Sequence, residues 1–81
     1  MKNLLDNEIN IKQKQLNAYL NLVGVNHQHT LYYDIFDDYD IEAVLSLNLP
    51  NELKLALIKC VGMLQSLVDA YNTMPHELTY Q

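Results

Sequence analysis

The sequence predicts a mainly α-helical fold: a small bundle of two long helices and one short one. Three observations carry this expectation. Leu53, Leu57, Cys60, Leu64, Leu67, Tyr71 and Met74 recur at spacings of 4, 3, 4, 3, 4 and 3, an a/d seam held over three heptads. The chain has only two glycines and two prolines, so few positions punctuate it. Its apolar content of 49 % over 81 residues supplies one compact core. Residues 1–81 are read as one domain, without internal repeat, linker or low-complexity tract. A domain of this size buries only about 60 % of its unfolded surface, so a partner or self-association would add needed burial.

The first element is expected as a helix over about 3–23. Leu5, Ile9, Leu16, Tyr19 and Val23 form its seam, with Lys12 out of pattern. Asp6 and Glu8 near the start and Gly24 after the end are helix-terminal signals. The next stretch, "VNHQHTLYYDIFDDYDIEAVLSLNLP", is ambiguous at 30–36. Leu31, Tyr33 and Ile35 alternate as in a strand, whereas Tyr32, Ile35, Phe36 and Tyr39 share one face of a helix. A short extended segment there is one expectation. From about 39 to 48 a short helix is expected, with acids at its start, where the orphan N–H groups and the macrodipole favour them.

The last helix is expected over about 51–74. Pro50 suits its first turn, and Pro75 stops it by pushing the residue before it out of the α region. Ala56, Val61, Met63, Val68 and Ala70 flank the seam, giving an apolar face wider than a two-stranded coiled coil needs and suited to a central bundle helix. The tail, 75–81, is expected to fray.

Charge is concentrated in one place. Five lysines, no arginine and ten acids give a net charge of −5. Asp34, Asp37, Asp38, Asp40 and Glu42 fall between Tyr32 and Glu42 without a basic residue, and they equal the whole excess. The stretch "YYDIFDDYD", 32–40, also holds four of the seven aromatic residues. Direct nucleic-acid binding is disfavoured, because phosphate contacts rest on clustered Lys and Arg. An acidic patch suits a basic surface on another protein, including one that normally holds nucleic acid.

A single cysteine, Cys60, rules out an internal disulfide framework and fits a reducing compartment. The start carries Asp6 and Glu8 where a signal peptide needs an apolar run. Residues 15–33 are uncharged, but Asn17, Asn21, Asn26, His27, Gln28 and His29 interrupt them, and such groups are costly in hydrocarbon. A cytoplasmic protein without a membrane span is the simplest expectation.

Catalytic and metal chemistry find little support. His27 and His29 are two apart, but a zinc site needs three or four ligands, and Cys60 and His76 lie far along the chain. An EF-hand register fails from either Asp34 or Asp38, because position 6 would be Tyr39 or Ala43 instead of Gly. Ser46 and Ser66 lack a Gly-flanked elbow, and Cys60 belongs to the apolar seam. No enzyme activity, cofactor or metal is expected.

What remains is the acidic-aromatic stretch. Its structural reading is an amphipathic segment with rings inward and acids outward. Its functional reading is a contact surface of Tyr32, Asp34, Phe36, Asp37, Asp38, Tyr39, Asp40 and Glu42, since tyrosine is favoured at binding hot spots and acids steer a basic partner. The protein resembles in type the small acidic inhibitors that inactivate a larger protein: those carried by phages, antitoxins and immunity proteins, some of them DNA mimics. Richness in Asn, Ile, Tyr and Lys without Arg also matches an AT-rich coding sequence, as in many bacteria and their phages. The alternative is a homodimerisation or assembly module using the apolar face of the last helix through Leu53, Leu57, Leu64, Leu67 and Tyr71.

Overall fold

The computed structural model describes residues 2–73. Its helices are α1 (Lys2–Leu22), α2 (Tyr32–Phe36), α3 (Ile41–Ser46) and α4 (Asn51–Thr73). The two long helices lie where the periodicity puts them, and the short helix expected over 39–48 is α3, trimmed at both ends. The expected tail, 75–81, lies outside the described residues.

The stretch 30–36 is not extended; Tyr32–Phe36 is a helical turn and a half. A strand here would need a partner to take its N–H and C=O groups, and among the described residues there is none. A helix satisfies them locally, with Ile35 N–H donating to Leu31 O and Asp37 N–H to Tyr33 O. It also brings Tyr32 and Ile35 to one buried face.

α1 begins earlier than its acids suggest. Asp6 and Glu8 fall in the second turn, and the first turn contains no acid. Its end is a Schellman motif: Val25 N–H donates to Leu20 O at 2.7 Å and Gly24 N–H to Asn21 O at 3.1 Å. Gly24 supplies the left-handed backbone, at φ 86°. Leu20 and Val25, the hydrophobic pair that accompanies this motif, are both buried. No atom lies within 4 Å of a Cβ placed on Gly24, so Gly24→Ala meets only backbone strain. The expected cost is about 1 kcal/mol, read from urea unfolding.

Asp40 caps α3, its carboxylate accepting from Glu42 N–H at 3.0 Å and Ala43 N–H at 3.3 Å. Pro50 stands just before α4, and its carbonyl accepts from Leu53 and Lys54 N–H. Lys54 Nζ reaches back 2.8 Å to Leu45 O, tying α4 to the end of α3.

α1 meets α4 along its length, α2 lies against α1, and α3 against α4, with α2 and α3 touching. The short helices thus form a second layer over one side of the α1–α4 pair. The core joins Leu16 and Leu20 of α1, Val25, Tyr32 and Ile35, Ala43, Val44 and Leu47, and Leu57, Cys60, Val61 and Leu64 of α4.

The α4 seam is buried at Leu57, Cys60 and Leu64, with Val61 beside it, whereas Leu67 and Tyr71 are half-buried and Leu53, near the start of the helix, is exposed. The α1 seam is rotated from expectation: Leu20 is buried, whereas Tyr19 is exposed. α1 serves two neighbours, and the contact with α2 pulls its buried stripe toward Asn17 and Leu20. Among the described residues no helix is long and apolar enough to cross a membrane.

Candidate functional site

The acidic-aromatic stretch becomes α2, a tight reversal and the first turn of α3. The reversal turns on Tyr39, which adopts the left-handed conformation at φ 56°. A bulky residue is uncommon there. The half-buried Tyr39 ring packs against the core, and Asp40 N–H returns 3.0 Å to Asp34 O. This packing offsets the backbone strain.

Eight residues were expected to form the contact surface, and they separate into two groups. Tyr32 is buried, and Phe36, Tyr39 and Asp34 are half-buried. Asp37, Asp38, Asp40 and Glu42 are exposed. Tyr32 is a core residue, and therefore no contact for a partner. Its hydroxyl donates to Asn17 Oδ1 across to α1, and its ring stacks on Phe36 at 5.3 Å between centroids.

The residue the sequence reading passed over is Tyr33. It is 54 % exposed, and its ring meets Tyr32 edge to face at 4.9 Å. The signal was present: if Tyr32, Ile35, Phe36 and Tyr39 share the inward face, Tyr33 must point outward.

Among the described residues none of the five acids from Asp34 to Glu42 pairs with a lysine. Among the described residues these acids are therefore uncompensated, and the exposed Tyr33 lies in the same stretch.

His27 is exposed, and His29 Nδ1 accepts from Leu31 N–H at 3.0 Å, a loop-forming bond. Among the described residues no group of three or more His, Cys, Asp or Glu converges as metal ligands would. Cys60 Sγ lies 3.8 Å from Lys12 O inside the core. Burial pushes its thiol above the usual value, against the opposing pull of Lys12. It therefore stays protonated and poorly nucleophilic near neutrality.

Burial also raises the Tyr32 phenol, with Tyr33 and Asp37 adding to the effect. Both groups are acids that hold their proton more tightly folded than unfolded. Their contribution to stability is complete below the ordinary values, about 8.5 for a thiol and about 10 for a phenol, and is lost as pH rises past them. The urea midpoint should fall steadily from about pH 8 to about pH 11. A midpoint that stays level over this range would contradict the burial of these two groups.

Two shallow grooves flank α1. One, of about 250 Å³, runs between α1 and α4 past Lys12, Tyr19, Ala56, Lys59 and Met63. The other, of about 270 Å³, lies between α1 and α2 past Gln13, Lys14, Asn17, Tyr32 and Phe36. No family model, curated protein or solved structure matches the chain.

Proposed function

We propose that this protein is a small acidic protein-binding module, an inhibitor that docks through the α2–α3 edge on a basic or nucleic-acid-handling protein. The observation that carries the reading is the acidic stretch of α2 and α3, uncompensated among the described residues, with the exposed Tyr33 in it. Charge of one sign raises the encounter rate with a complementary surface. An exposed tyrosine adds buried area at low entropic cost, and here its ring is already held against Tyr32. A row of carboxylates on a short helical edge offers the charge of a phosphate backbone, which is the chemistry of a DNA mimic. An inhibitor of the phage, antitoxin or immunity type fits that behaviour.

The test is capture from bacterial lysate by wild type and by the Asp37/Asp38/Asp40→Asn variant, with bound proteins identified by mass spectrometry. A basic or nucleic-acid-binding protein held by wild type alone, and released by added duplex DNA, supports the reading. The same proteins on both baits, or none on either, would remove it.

A further inference from the structure

Among the described residues, nothing covers the face of the α1–α4 pair opposite α2 and α3. We propose that a second copy of this chain packs on it, giving a symmetric dimer with a four-helix centre.

The first ground is where burial stops. In α1 only Leu16 and Leu20 are buried, and in α4 only residues from Leu57 to Leu64. No residue of 3–15 or 65–73 is buried, although Leu5, Ile9, Leu67, Val68 and Tyr71 are half-buried there. Helices paired without a covering layer leave one side of their apolar stripe wet.

The second ground is a second apolar ladder. At 100° per residue, the open side of α4 carries Ala56, Cys60, Met63, Leu67 and Ala70, spaced 4, 3, 4 and 3. The same side of α1 carries Leu4, Ile11, Tyr19 and Leu22. Six of the nine exposed large hydrophobics among the described residues (Leu4, Ile11, Tyr19, Leu22, Leu53 and Met63) lie on this side, at 43 % to 82 % exposure. Their exposed area is on the order of 600 Å² at the areas large side chains bury. A standard interface takes about 800 Å² from each partner. Ala56, Ala70 and the half-buried Leu67 and Tyr71 supply the remainder.

The third ground is charge, and it selects a second copy over a charged partner. The ionised groups on this side are Glu8 and Lys12 on α1 and Glu52 and Lys59 on α4, which sum to zero. The uncompensated acids lie on the opposite layer. Two copies meeting here bring neutral, mixed-sign faces together and keep their acidic edges apart. A dimer through the α2–α3 edge would set five acids against five.

The expected seam for a homodimer is thereby corrected. Leu57 and Leu64 are closed inside the chain's own core, so the contact moves one ladder around α4 to Met63 and gains the open side of α1.

Sedimentation over a wide concentration range should give a dimer for wild type. Ile11→Lys with Met63→Lys should raise the dissociation constant about 100-fold or more while leaving helicity intact, since both residues are half exposed. Leu55→Lys, on the back of α4, should leave it unchanged. Independently of any substitution, amine cross-linking of mixed light and heavy nitrogen-labelled protein should give mixed-isotope peptides joining Lys12 and Lys59. A monomer at every concentration, a different partner seated on this face, or a dimer indifferent to the double substitution would overturn the proposal. None of these results would touch the reading of the acidic edge.

Discussion

Leu64→Lys is expected to abolish the cooperative urea transition, whereas Met63→Lys one position earlier should leave a folded chain. Leu64 is 0 % exposed and shares the core with Leu16, Ile35, Leu57 and Val61. An ammonium placed there loses its hydration at a cost of several kcal/mol, and no buried acid is present among the described residues to pair with it. An 81-residue domain commands roughly 4–12 kcal/mol in total. The milder Leu64→Ala should cost about 2–5 kcal/mol through lost transfer energy and the cavity left behind. Circular dichroism with urea titration reads all three variants. A Leu64→Lys chain with the wild-type midpoint would mean that this side chain does not face an interior, and the α1–α4 packing would have to be redrawn. The comparison also separates folding from association, because Met63 and Leu64 are neighbours in sequence on different ladders of one helix.

The two long helices were legible because their signal is local and repeated. Three heptads of apolar spacing in 53–74 leave one way to bury that face. What failed in α1 was the choice of stripe, and the reason is non-local. Tyr19 and Leu20 are both apolar, and only the docking of α2, through Tyr32 on Asn17, decides that Leu20 turns inward. Lys12, which broke the pattern, sits half-buried beside the α1–α4 groove, its Nζ 3.3 Å from Gln15 Oε1. A long aliphatic stem covers apolar surface while its charge stays in water, so the interruption cost the helix little.

The site was legible in charge and illegible in direction. Five acids without a lysine can be counted from the sequence. Which ring faces out depends on whether 32–36 is strand or helix, and both periods fit so short a segment. The absence of a second strand among the described residues decides it, and that cannot be read from the segment itself. Tyr39 is harder still. Its left-handed backbone reverses the chain between α2 and α3, but a tyrosine carries none of the preference that Gly or Asn would have announced. Asp40 lay between these cases: it was expected among the acids at the start of a helix over about 39–48, and it is the cap of α3.

That double role makes the second large effect a clean one to measure. Changing Asp37, Asp38 and Asp40 to Asn takes the net charge from −5 to −2. Asn caps a helix about as well as Asp, and its side-chain oxygen can still accept from Glu42 and Ala43 N–H. The fold should therefore survive while the field is reduced. Against the captured basic protein, the association rate at low salt should fall about 10- to 100-fold, with the dissociation rate nearly unchanged. Its salt dependence should flatten, since exposed charges act only within a Debye length of about 8 Å at physiological ionic strength. Tyr33→Ala should behave in the opposite way, leaving the association rate alone and speeding dissociation about 10-fold or more, as loss of a central aromatic anchor does. Rapid-mixing kinetics at several salt concentrations separates the two contributions. If the triple variant associates at the wild-type rate with the wild-type salt slope, the acids are a solvated face that steers nothing. If the rate falls but Tyr33→Ala changes nothing, the acids guide the partner to a contact centred on some other group.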